Sequence, residues 1–161
     1  MTTDGIKEPL LLTIAVLGGT GKEGKGLAYR WAKAGYKVLI GSRSEERAVT
    51  AASEIMELAE GSTSIVGTSN HEAAQLADIV VLTVPFAAHR ETLESVKDVL
   101  KGKTLIDVTV PLVPPKVTKV QMPSAGSAAQ EAKEIVGEGV EVVAAFHSIS
   151  HEHLLKDDYV E

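Results

Sequence analysis

Leu10-Leu11-Leu12-Thr13-Ile14-Ala15-Val16-Leu17 is an almost unbroken apolar run, and it leads directly into Gly18-Gly19-Thr20-Gly21-Lys22-Glu23-Gly24-Lys25-Gly26 and then an amphipathic segment as far as Ala34. Gly19, Gly21 and Gly24 stand at the spacing G-x-G-x-x-G. In that pattern the first glycine permits a tight turn out of a strand, the second lets backbone approach a pyrophosphate, and the third lets a helix lie close to the sheet. The helix aims its free N–H groups and the positive end of its dipole at the same point, which suits an anion. Glycine triplets also occur in ordinary loops; here a strand precedes the triplet and a helix follows it, which is the context the motif requires. Gly19, Thr20, Gly21, Lys22, Glu23 and Gly24 are therefore candidate contacts for a dinucleotide.

The next strand, Lys37-Val38-Leu39-Ile40-Gly41, bears on which dinucleotide. An NAD site carries Asp or Glu at the end of this strand, where it accepts hydrogen bonds from the ribose 2′-hydroxyl. Here the strand runs into Ser42-Arg43-Ser44, with Arg47 one helical turn further on and Thr20 in the opening loop. A hydroxyl and a guanidinium bind a 2′-phosphate through charge-assisted bonds that a carboxylate would oppose. The expectation is NADP, with Thr20, Ser42, Arg43 and Arg47 at its phosphate. The alternative is that Ser42 merely caps the helix beginning near Glu45 and that Arg43 is a solvated charge.

The 161 residues suit one domain, and 44% hydrophobic with 24% charged residues is a globular composition. A net charge of −6 argues against a nucleic-acid partner, which calls for a basic face. Without cysteine there is no disulfide, thiol catalysis or cysteine-bound metal, which fits a reducing cytoplasm. The apolar run from Leu10 to Leu17 is far short of the ~20 residues needed to cross a bilayer, and Met1 to Pro9 reads as a disordered lead-in rather than a signal peptide.

Strands alternate with helices down the chain. Leu27, Trp31 and Ala34 share a helix face, with Gly35 as its left-handed stop. A helix from Glu45 to about Ala59, a strand at Ser64 to Gly67 and a brief helix capped by Asn70 follow. Ile79-Val80-Val81-Leu82-Thr83 reads as a strand covered on both faces. It is ended by Pro85, so Val84, Pro85 and Phe86 fall at the carboxyl edge beside the dinucleotide. His89 reads as a helix-start or surface residue before a helix from Arg90 to Leu100. Thr104 to Val110 is a fifth strand. Asp107 within it reads as a structurally paired carboxylate, met by a neighbouring backbone or hydroxyl group, with a general base as the alternative. Val110 ends that strand, and Pro111 opens a long loop over the sheet edge as far as Ser127. A helix to Val136 and a strand from Val140 to Phe146, which includes Ala145, bring His147 to the same edge, where a second reactant belongs. His147, His151 and His153 lie within seven residues, but His153 would face away from the other two, so no metal site is expected. The fold class is α/β, a doubly wound, mostly parallel sheet ordered 3-2-1-4-5-6, of Rossmann type.

With these residues in view, the chain resembles the NADPH-dependent coenzyme F420 reductases, or F420H2:NADP oxidoreductases, from about Thr13 to the C-terminus. The resemblance rests on Ala15-Val16-Leu17-Gly18-Gly19-Thr20-Gly21, Gly26-Leu27-Ala28, Gly41-Ser42-Arg43, Leu82-Thr83-Val84-Pro85, Pro111-Leu112-Val113-Pro114, Ser127-Ala128-Ala129 and Val143-Ala144-Ala145-Phe146-His147. It implies hydride exchange between NADP(H) and the deazaflavin coenzyme F420. It also implies a 2′-phosphate at Thr20, Ser42, Arg43 and Arg47, and a deazaflavin lined by His147, Ser148 and Ile149. Other members are longer, with a further strand and a helical end that build the deazaflavin site and a dimer interface. The expected organisation is a lead-in over 1–9 and one NADP-binding Rossmann domain over 10–161 lacking that extension, either as a piece or natural short form or with its missing wall supplied by another subunit. Its partners would be small-molecule cofactors, with a homodimer open and neither nucleic acid nor membrane involved. Two hydride carriers need orientation and exclusion of water more than acid–base groups, which agrees with the lack of a catalytic triad, carboxylate pair or metal cage. Two other readings stay open: an imine, ferric or other small-molecule reductase using the same NADP half-site, and a non-catalytic NADP-binding module.

Overall fold

The computed structural model describes residues 11–60, 64–112 and 120–156. The lead-in over 1–9 and residues 113–119 of the loop after Leu112 lie outside them. Six parallel strands are ordered β3-β2-β1-β4-β5-β6, the order expected. They are β1 Thr13–Leu17, β2 Lys37–Ser42, β3 Ile65–Ser69, β4 Ile79–Leu82, β5 Thr104–Asp107 and β6 Glu141–Ala144. Between and after them lie α1 Lys22–Lys33, α2 Glu45–Leu58, α3 Asn70–Leu76, α4 Phe86–Val96, α5 Ala128–Val136 and α6 His151–Leu154. The chain moves outward from β1 through β2 to β3, then returns to lay β4 on the other flank of β1. This reversal opens a crevice at the carboxyl edge between β1 and β4.

The register makes that edge level. Thr68, Gly41, Leu17, Leu82, Asp107 and Ala144 sit side by side across the six strands. Period-2 alternation sends Val16, Val38 and Ile40 to one face, against Ala28, Ala32, Ala48 and Ile55 of α1 and α2. Leu17, Leu39 and Leu82 go to the other, against Ala73, Ala74, Leu93 and Leu100. Both faces of the central strands are thus covered, which is why β1 and β4 read as continuous apolar runs.

Several elements depart from their sequence boundaries. Helix α3 is capped by Ser69, whose Oγ accepts from the Glu72 amide, and Asn70 is the buried first residue of the helix. Helix α4 starts at Phe86, so His89 lies inside its first turns and is wholly buried. The sixth strand stops at Ala144 because Phe146 takes a φ of +63°, which no strand tolerates. Trp31 is half-buried and packs edge-on against Phe146 at 6.0 Å between centroids. Gly35, at φ +94°, ends α1 as expected.

The chain past β6 turns back over α1. Gly26 makes room for it, since a Cβ there would lie 2.5 Å from Leu154 Cβ. Burying Leu154 contributes roughly 1.5–3 kcal/mol. Arg30 donates from Nε to the Leu154 carbonyl at 2.7 Å, from Nη2 to the His153 carbonyl at 2.8 Å, and also to the Lys156 carbonyl. A cation thus sits at the C-terminal end of α6, where the helix dipole favours one.

Candidate functional site

Above the level row of strand ends lies a crevice of about 850 Å³. One side is formed by Gly18, Thr20, Gly21, Lys22, Glu23, Ser42, Arg43, Ser44, Arg47 and Asn70. The other is formed by Thr83, Val84, Pro85, Phe86, Ala87, Ala88, Thr92, Val108, Thr109, Val110 and Leu112. The first end is polar and cationic, and the second is mostly apolar.

The glycines divide their work somewhat differently from the sequence expectation. The positive φ of the turn, +72°, falls on Gly18, one residue before Gly19. A Cβ on Gly19 would meet the Val16 carbonyl at 2.8 Å, and one on Gly24 would meet Thr83 Oγ1 at 2.7 Å and Gly19 Cα at 2.8 Å. Gly19 and Gly24 therefore let α1 pack against the sheet and do not line the crevice. Gly21 is exposed, and the nearest atom to a Cβ there is 3.6 Å away. Nothing inside the protein demands glycine at this position; a ligand arriving at the loop would.

Helix capping points the same way. Ser44, Ser69, Ser127 and Ser150 each accept a hydrogen bond from the first turn of α2, α3, α5 and α6. Only α1, entered through Gly21, and α4, entered through Pro85, lack a side-chain cap among the α-helices of the described residues. The first turns of α2 and α3 also line the crevice, through Arg47 and Asn70, but with capped ends; α1 and α4 meet it uncapped. Their orphan N–H groups and dipoles face a space that suits a diphosphate.

At the cationic end Ser42 is buried, and its Oγ accepts from the Ser44 amide at 3.2 Å, while Ser44, not Ser42, caps α2. The capping alternative for Ser42 is thereby removed, and its hydroxyl finds no acceptor among the described residues. Arg43 and Arg47 are exposed at the same rim as Thr20 and Lys22. Among the described residues Glu23 is the one carboxylate lining the crevice; burial pushes it above the usual carboxylate range, and the charges of His147 and His151 partly offset that rise. Asn70, which sequence reasoning missed as a site residue, turns its Oδ1 to the Gly18 amide at 3.4 Å and so braces the glycine loop from 52 residues away.

The apolar end is held by buried polar groups. Thr83 donates its hydroxyl to the Leu17 carbonyl at 2.9 Å, tying β4 to β1. Thr109 donates its amide to Asp107 Oδ1 at 2.9 Å and its hydroxyl to the Val84 carbonyl at 3.4 Å. Asp107 Oδ2 lies 2.8 Å from His89 Nε2, and Glu131 Oε1 lies 3.3 Å from His89 Nδ1. Asp107 is thus paired as expected, by an amide and by a histidine that does not sit on the surface. Glu131 was not legible as its third member.

Val84, Pro85 and Val110 line the crevice, whereas Pro111 is buried behind it. Ala145 donates its amide to the Asp107 carbonyl at 3.3 Å, His147 and Ser148 are exposed, and Ile149 packs on Ile14, Leu27, Val81, Val108 and Leu154. These four do not line the crevice. Among the described residues no three His, Asp or Glu side chains come together as a metal group, and no helix is long and apolar enough to cross a membrane.

Residues 13–111 match the profile of the family described as NADP oxidoreductase coenzyme F420-dependent. The chain belongs to this family. It is 45% identical over 149 residues to the F420-dependent NADP reductase of Methanothermobacter marburgensis, covering 89% of this chain and 66% of that one. It is 37% identical over 146 residues to the enzyme of the same name from Methanocaldococcus jannaschii, covering 87% and 65%. The chain thus spans just under two thirds of the length of the curated relatives it matches. A crystal structure from Arthrobacter sp. FB24, provisionally named an F420-dependent NADP reductase, superposes with a TM-score of 0.72 at 23% identity over 88% of this chain and 65% of that one. That likeness shows the Rossmann-type fold.

Proposed function

We propose that this chain binds NADP(H) in the crevice and passes hydride between it and the deazaflavin coenzyme F420. The observation that carries the reading is the coincidence of the two uncapped helix starts with a rim of cations at one end of an otherwise apolar crevice. On this reading Thr20, Ser42, Arg43 and Arg47 take the 2′-phosphate, and the amides of Lys22 and Glu23 take the diphosphate beside Gly21. Val84, Pro85 and Val110 hold the nicotinamide, which supplies the carbon that donates or accepts hydride. The residues fit such a ligand: the apolar walls exclude water, and Gly21 leaves the loop open to close approach.

Family membership and the 45% identity to an F420-dependent NADP reductase support the deazaflavin as the second carrier. His147, Ser148 and Ile149 face it in this reading. A cytoplasmic setting, supported by the absence of cysteine, and a homodimer, supported by exposed Val143 on edge strand β6, complete it. The test mixes the purified chain with NADPH and oxidised F420 and follows the deazaflavin absorbance. Bleaching with NADPH and far less with NADH is expected. Tight NADPH binding without bleaching would remove the hydride step, and equal binding of NADH and NADPH would remove the phosphate assignment.

A further inference from the structure

The His89 cluster is the largest concentration of buried ionisable groups in the described chain, and the reading above gives it no task. His89 and Asp107 are 0% exposed and Glu131 is 8% exposed. An ionised carboxylate only accepts hydrogen bonds, so the contacts of Nε2 with Asp107 and of Nδ1 with Glu131 are both satisfied only by a ring carrying both protons. Two carboxylates from β5 and α5 face one imidazolium from α4. Beyond it, Arg90 of the same helix lies 3.6 Å from Glu131, and the Phe86 ring stacks at a tilt 5.6 Å away.

The cluster touches the crevice wall through both flanks of the ring. Phe86, which packs on His89, lines the crevice itself. Asp107 holds the Thr109 amide, and Thr109, with Val108 and Val110, forms the wall beyond β5. Thr109 in turn holds the Val84 carbonyl on the opposite lip. Every link lies at the apolar end; none reaches Arg43 or Arg47.

We propose that His89, clamped between Asp107 and Glu131, is a positioning residue that fixes the β4 and β5 lips of the crevice at the spacing a nicotinamide ring requires. The inference rests on the NADP reading. It follows that loss of the second ring proton releases one carboxylate and loosens this end alone. Burial would push the imidazolium down, but the hydrogen bonds and charges of Asp107 and then Glu131 outweigh it and hold His89 above its ordinary value. The doubly protonated ring therefore persists to higher pH than that of an ordinary histidine.

The test compares NADPH with 2′-phospho-ADP-ribose, which keeps every phosphate and lacks only the nicotinamide, so that phosphate titration cancels in the ratio of their affinities. Calorimetric titration across neutral to alkaline pH is expected to show NADPH losing its advantage as His89 deprotonates, with the fragment unmoved. His89→Gln and Glu131→Gln should each weaken NADPH by about tenfold or more, spare the fragment, and abolish the pH step in the ratio. If His89→Gln does not fold, Glu131→Gln and the unaltered protein's pH series still decide. Equal losses for both ligands, or a ratio flat with pH in the unaltered protein, would overturn the proposal. Failure of both ligands to bind the unaltered protein would overturn the NADP reading itself.

Discussion

The two ends of the crevice are built on opposite principles. At the β2 end the groups offered to a ligand are long, exposed and cationic, and Arg43 and Arg47 hang over the rim from the start of α2. At the β4 and β5 end the charges are short, buried and already spoken for by one another, and what faces the crevice is apolar. One end is made to attract and the other to hold a shape. Exposed cations are screened by salt and their contacts with a bound phosphate are replaceable; a buried charged cluster is screened little, and breaking it leaves an uncompensated ion.

The contrast is broken most severely at Asp107. Asp107→Ala strands the His89 imidazolium and the Thr109 amide together, and should cost about 3–5 kcal/mol of folding stability by urea denaturation, the range for a broken buried pair. A loss below 1 kcal/mol, roughly that of an exposed pair, would mean the cluster is not rigid. At the other end Arg43→Ala should leave stability unchanged and weaken NADP(H) by about 1.5–3 kcal/mol while sparing NAD(H), with the difference shrinking as salt is added. Similar losses for both nucleotides would put the 2′-phosphate elsewhere. Stability against pH sharpens the comparison further. His89 is raised above its ordinary 6.5, so its contribution is complete below that value and drains away as pH climbs through the raised one. The slope for a single proton is at most about 1.4 kcal/mol per pH unit, and it should vanish in His89→Gln. The smallest effect belongs to Glu23→Gln. Removing this carboxylate beside the diphosphate site should tighten NADPH by ~0.5 kcal/mol at alkaline pH, the scale of a screened surface pair, and by less under acid conditions, where the raised carboxyl is already protonated. Unchanged affinity at both pH values would place Glu23 away from the phosphates.

How much of this was legible follows the same divide. The glycine loop, the strand at Lys37 and the Ser42-Arg43 pair announce themselves because each requirement is met within a few residues: a turn, an open helix start, a cation at the next strand's end. The strand order followed from alternating strands and helices, because right-handed crossovers leave few choices. The buried end gave no such signal. His89 finds Asp107 18 residues away and Glu131 42 residues away, and each looks ordinary alone. Asn70 reads as a helix cap, and only the fold shows Ser69 taking that role and freeing Asn70 to reach Gly18. Local chemistry is written in the sequence; pairings made by the sheet are not.

Arg30 gives the C-terminal part of the described chain a mechanical meaning. The stretch bearing His147 and Ser148 leaves the sheet at β6 and is fastened again where Arg30 grasps the carbonyls at the end of α6. Since α1 carries that clasp and follows directly on the glycine loop, the loop and the stretch are tied to the same helix. The glycine loop and the stretch past β6 are in this way hung from a single beam.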